Sequence, residues 1–169
     1  MRTITRTSNY KKLFNNKTQL DYYIENNSHE GTINLVKLNN KTFGERMQSI
    51  ITEVLNLDPP LNTSHDARKN ELKFEIKSSR YWVRTEDFKW QHIMEHHDYD
   101  YLILAGLDFD EIILYCISKN KLKELKEIGT IKQQGGAEGQ GLWFCRKNLS
   151  DYLFKIDSKF EFYNYLENN

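Results

Sequence analysis

The 169-residue chain has only two cysteines, two prolines and three alanines. It also has no apolar run near the roughly 18 residues that a membrane-spanning helix needs. Cys116 and Cys145 are too few for a disulfide framework or a zinc knuckle, and no histidine partner stands near either in sequence, so they read as ordinary buried thiols. The prolines fall together at Pro59-Pro60, so no proline-rich linker divides the chain, and no internal repeat recurs. Met1 to Arg6 lack the apolar stretch of a signal peptide. The expectation is a soluble, cytoplasmic protein with no membrane partner. An excess of one charge is missing too, because 24 Lys+Arg balance 24 Asp+Glu. Aromatic residues, by contrast, make up 13% of the chain, which excludes an average disordered chain. A chain of this length buries about two thirds of its unfolded surface, enough for one core without staples. We therefore expect a single domain over residues 1–169.

The neutral total conceals segregated charge. Residues 1–20 carry Arg2, Arg6, Lys11, Lys12 and Lys17 and no acid. Arg68 to Arg84 hold six basic residues against Glu71 and Glu75. From Glu86 to Glu111 eight acids face Lys89 alone, and from Lys119 to Lys132 five lysines face two glutamates. Such blocks build either solvated helix faces or one positive surface on a neutral protein.

Hydrophobic spacing gives the elements. Residues 10–26 read as a surface helix and Gly31 to Leu38 as a short strand. Phe43, Met47, Ile50, Ile51, Val54 and Leu57 repeat at 3.6 residues, an amphipathic helix stopped by Asp58-Pro59-Pro60. Leu72, Phe74 and Ile76 alternate with Lys73, Glu75 and Lys77, a strand of period two. Residues 86–97 read as a helix, Tyr99–Leu107 and Glu111–Ser118 as buried strands, and Lys119–Ile128 as a lysine-rich helix. A glycine-rich loop at 133–141, a strand at Leu142–Cys145 and two short helical pieces complete the chain. This is a mixed α/β (α+β) domain with a central mixed β-sheet flanked by helices.

The stretch from Asp66 to Lys77 holds the chemistry. Glu75 and Lys77 share one strand face, about 6–7 Å apart. A turn at Lys69-Asn70 carries Asp66 diagonally across the hairpin onto that face. Two carboxylates and the Ile76 carbonyl suit a hard divalent cation such as Mg²⁺, while an ammonium beside them orients a water or stabilises transition-state charge. The plain alternative is a solvated strand face with outward Lys and Glu.

With these residues in their order of helix, Asp66, Glu75-Ile76-Lys77, the chain resembles the PD-(D/E)XK nuclease superfamily over roughly residues 43–118. That superfamily includes many type II restriction endonucleases and a mismatch-repair nicking enzyme. His65 stands where the family name has proline. The resemblance implies a restriction-endonuclease-like fold and an Mg²⁺-dependent endonuclease acting on double-stranded DNA. Asp66 and Glu75, with the Ile76 carbonyl, would hold the metal, and Lys77 would act near the attacking water. Glu53 on the preceding helix, with Glu45 and Gln48 as alternatives, and Gln91 after the triplet would complete the site. A homodimer on palindromic DNA and a companion DNA methyltransferase are the partners it implies. A structure-specific repair or resolvase nuclease and a catalytically silent nucleic-acid-binding module of the same fold stand as alternatives.

Around such a site, Arg68, Lys69, Lys73, Arg80 and Arg84 are the expected phosphate contacts. Gln134, Gln140 and Arg146 are the expected base-reading side chains of the glycine-rich loop and its flank. That loop is no P-loop, since no Gly-Lys-Ser/Thr follows. His92, His96 and His97 form another constellation, readable as zinc ligands, with His92 and His96 on one helix face, or as polar surface or DNA-facing histidines.

Overall fold

The computed structural model describes residues 18–109, 111–136 and 140–169. The five basic residues of 1–17 and the first part of the helix expected at 10–26 lie outside that range. The described elements are α1 (Gln19–Glu25), α2 (Glu30–Lys37), α3 (Asn40–Leu55), β1 (Ala67–Lys69), β2 (Leu72–Trp82), β3 (Asp87–Ile93), β4 (Tyr101–Leu107), β5 (Ile112–Ser118), α4 (Lys119–Glu127), β6 (Lys132–Gln133), β7 (Leu142–Cys145), α5 (Arg146–Leu149), β8 (Phe154–Ile156) and α6 (Lys159–Glu167).

α3 forms where the 3.6-residue period placed it. Phe43, Met47, Ile51 and Leu55 line its buried side at four-residue spacing. The Asn39 side chain caps its start by accepting from the Thr42 N–H at 3.0 Å. Asn56 ends it in the left-handed region at φ 53°, which asparagine tolerates better than most residues.

The strands form one mixed sheet in the order β6-β7-β3-β2-β4-β5-β8, with β1 also paired to β2. β2 and β4 run parallel from Phe74↔Tyr101 to Arg80↔Leu107, and the other pairings are antiparallel. β4 is buried at every residue because its two faces serve two cores. Ile103 and Ala105 join Phe74, Ile76, the buried side of α3 and Phe162 of α6. Leu102 and Leu104 join Phe88, Trp90, Phe144 and the α4 residues Leu122 and Leu125.

Two expected elements are different in kind. Residues 30–37 are helical, not a strand: His29 caps the start, its Nδ1 accepting from the Gly31 N–H at 3.0 Å. Ile33 and Val36, three apart, then face the core together. Residues 87–93 are a strand, not a helix: Phe88 and Trp90 alternate with Lys89 and Gln91. The alternation breaks at His92, whose φ of 57° marks a bulge where the pairing with β7 shifts between Trp90 and Ile93. That extra residue hid the period of two.

Candidate active site

β1 and β3 pair with the same edge of β2 at different points, β1 at Leu72–Phe74 and β3 at Tyr81–Trp82. Between them the edge is met by side chains. Asp66 Oδ2 accepts from the Ile76 N–H at 2.8 Å, and Ser79 Oγ accepts from the Lys89 N–H at 3.1 Å. Asp66 is fixed in turn by its own N–H, which donates to the Phe74 carbonyl at 2.8 Å. Because strand groups alternate edges, the Ile76 carbonyl faces the same edge as Asp66.

Glu75 is only 3% exposed and is gripped from both sides. Lys77 Nζ lies 2.7 Å from its Oε1, and His97 Nδ1 lies 3.3 Å from its Oε2. Lys77 is 24% exposed and lines the cleft described below. Desolvation, then the neighbouring charge of Glu75, push the Asp66 carboxyl above the usual carboxylate range. The Ile76 N–H, Lys77 and His97 pull the other way. Lys77 and Glu75 are thus in direct contact, and the charges of both reach Asp66.

Asp66 and Lys77 line a cleft of about 490 Å³ between α3 and the β2–β3 edge. Its lining carries Lys41, Lys77, Arg80 and Lys89 against a single carboxylate, Asp66. Gln91 lines it too, from a strand and not from the expected helix. A second cleft of about 570 Å³ reaches Asp66 from the other end of α3 and includes Glu45 and Glu53. Of the α3 candidates, Gln48 touches Asp66, donating from Nε2 to its main-chain carbonyl at 3.2 Å, and it lines both clefts. Glu53 is exposed on the wall of the second cleft.

The expected DNA contacts divide. Arg80 is corrected: it is 8% exposed, and its guanidinium donates to the carbonyls of Val36 and Leu38 and to Asn40 Oδ1, at 3.1, 2.5 and 3.1 Å. It stacks 3.9 Å above the Phe43 ring and ties the end of α2 to the start of α3. Arg68 Nε donates to the Pro59 carbonyl and Lys69 Nζ to the Asn56 carbonyl, so both brace the connection after α3. Lys73 pairs with Asp98 at 2.6 Å and Arg146 with buried Asp87 at 2.9 Å. Gln134 accepts the His92 N–H through Oε1 at 3.3 Å, pinning its loop to the β3 bulge. Arg84 and Gln140 are exposed, Arg84 in the turn after β2.

His97 joins the site for a reason no local pattern carries. The segment between β3 and β4 folds back, Asp98 N–H donating to the Ser64 carbonyl and Lys119 Nζ to the His97 carbonyl. His92, His96 and His97 do not sit at helix spacing, and among the described residues no three His, Cys, Asp or Glu side chains form a metal cage. Asp66, Glu75 and the Ile76 carbonyl are the oxygen groups here that could take part in holding a hard cation. Each carboxylate keeps further lone pairs, and Mg²⁺ usually retains several waters instead of filling its shell with protein.

No family model and no curated protein matches the chain. Among the described residues no helix is long and apolar enough to cross a membrane.

Proposed function

We propose that the chain is a divalent-metal-dependent endonuclease of restriction-endonuclease-like fold that hydrolyses DNA phosphodiesters. The observation that carries this reading is that Asp66 and Lys77 line a cleft whose other charges are cationic, with Lys77 paired to the buried Glu75 behind it. Asp66, Glu75 and the Ile76 carbonyl are the groups that would hold Mg²⁺, which polarises a phosphate oxygen and lowers the pKa of a bound water.

The chain's own residues account for the rest. Lys77 presents an ammonium beside Glu75, where it donates to the charge that builds on phosphate oxygens as water attacks phosphorus. His97 and Lys77 together hold the buried Glu75 carboxylate in one orientation. Gln48 fixes the Asp66 backbone, and Lys41 and Lys89 neutralise flanking phosphates. Sequence-specific cleavage by a dimer with a companion methyltransferase is the biological setting we infer.

The test is incubation of purified protein with genome-length DNA and Mg²⁺ or Mn²⁺. Wild type is expected to cleave, with Glu75→Ala and Lys77→Ala slower by roughly 10² or more. Equal cleavage by all three would trace the activity to a contaminant and overturn the reading. DNA binding without cleavage at either metal would instead leave a silent binding module.

A further inference from the structure

Lys89 sits where three neighbouring strands bring two indoles onto one sheet face. Trp82 of β2 is opposite Asp87, two residues before Lys89 on β3. Lys89 is opposite Cys145, two residues after Trp143 on β7. The period of two therefore aligns Trp82, Lys89 and Trp143 on the same face. The Lys89 ammonium lies 5.5 Å from the Trp82 ring centre and 4.2 Å from that of Trp143. Among the described residues it makes no ion pair with a carboxylate, unlike Lys73, Lys77, Lys121, Lys126 and Lys155. Trp82 and Lys89 line the same cleft as Lys77 and Asp66. Both indoles are half-buried, whereas Trp90 is 1% exposed in the core.

A half-exposed flat apolar ring with a flexible cation over it is chemically suited to a nucleobase, because every base presents a π-face and every linkage an anion. We propose that Trp82 and Trp143 stack unpaired nucleobases of the strand held at Lys77, while Lys89 leaves the indole faces for a phosphate. This rests on the nuclease reading and adds that the DNA is locally opened beside the cut, so that unpaired bases reach the indoles. In an intact duplex the π-faces of internal bases are covered by their neighbours and are closed to the indoles. The β3–β7 pairing at Lys89↔Cys145 and Trp90↔Phe144 precedes the His92 bulge, which Gln134 Oε1 holds.

The test uses the full chain in EDTA, so that cleavage does not intervene, with three labelled DNAs of one sequence. These are a single strand, the same strand with abasic positions, and its blunt duplex. Anisotropy reports binding and tryptophan emission reports stacking. The expectation is that the single strand quenches emission and binds best. The abasic strand should bind about tenfold more weakly. Trp82→Leu and Trp143→Leu keep apolar bulk but lose the indole face, and each should weaken single-strand binding by a similar factor while leaving duplex binding unchanged. Thermal melting confirms that these variants are folded. Single-strand binding without quenching, and with unaltered affinity in both folded variants, would overturn the stacking platform and leave the nuclease reading standing. Failure of the wild type to bind any of the three DNAs, in EDTA or with Ca²⁺ as a non-catalytic ion, would overturn both.

Discussion

Asp66 is held in a place that costs the folded chain stability. Burial and the Glu75 charge raise its carboxyl pKa above the value of 3.8 that it has when unfolded. The folded state therefore binds its proton more tightly than the unfolded state. The penalty for ionising Asp66 is absent below the unfolded pKa and fully present once pH exceeds the raised folded value. Asp66→Asn keeps an oxygen for the Ile76 N–H and removes the charge. It should raise stability at pH 7, with the gain shrinking toward pH 4, while cleavage is lost. Urea unfolding of both proteins across that range, beside a DNA cleavage assay, measures both effects; a destabilised Asn variant at pH 7 would contradict this account. Arg80 shows the opposite balance. Removing its guanidinium strips one buried and two part-buried acceptors of their donor and uncovers Phe43. Arg80→Ala should cost about 2–4 kcal/mol of unfolding free energy. A phosphate contact at the surface would instead leave stability unchanged and weaken DNA binding, so denaturant midpoints distinguish the two roles.

At the scale of elements, β3 is the piece that most alters the site. As a helix it would have carried His92 and His96, four apart, on one face. As a bulged strand it sends Gln91 into the cleft, lays Phe88 on β4 and leaves His97 free to turn back onto Glu75. Gly106 makes this packing possible, since a Cβ there would meet three Phe88 ring atoms at 2.6–2.7 Å. Gly106→Ala should destabilise by about 1–3 kcal/mol through overpacking. Phe88→Leu, which trims the ring, should recover part of that loss in the double variant, a coupling that a thermodynamic cycle of unfolding energies measures. α3, β2 and α4 are legible because each buries one face with unbroken periodicity, and β4 and β5 because they are continuous apolar runs. α2 was misread because its few apolar residues, Ile33, Leu35 and Val36, fit two periods over so short a span. The strand at 87–93 was hidden by a single bulge residue that moves Ile93 out of step.

Over the whole molecule, zero net charge coexists with a cationic cleft because the acid-rich stretch is largely engaged elsewhere. Asp87 is held by Arg146 and the Lys147 N–H, Glu95 by Lys126, Asp98 by Lys73, and Asp108 accepts from Tyr22. Binding of DNA in the cleft should then weaken with salt, and removal of a lysine that touches a phosphate should lower the slope of log K against log salt by about 1. We expect this for Lys41→Ala and Lys89→Ala and not for Lys69→Ala, whose ammonium is committed to the Asn56 carbonyl. Affinities at several salt concentrations decide it, and a slope equal to wild type in both cleft variants would place DNA elsewhere.

Sequence alone determined the parts of the site that lie within one hairpin. Asp66, Glu75, Ile76 and Lys77 are brought together by a turn and a period of two, both local properties of the chain. It also determined that α3 precedes them and that β4 and β5 are buried. Only the tertiary structure decided which other side chains arrive there. Gln48 reaches Asp66 across 18 residues, His97 reaches Glu75 across 22, and Trp82, Lys89 and Trp143 meet through the pairing of three strands. It likewise decided that Arg80 faces inward, because the carbonyls of Val36 and Leu38 at the end of α2 lie 44 and 42 residues away and need a donor. Local periodicity fixes the face on which a residue stands, whereas the partner on that face is set by long-range packing, which no short window of sequence contains.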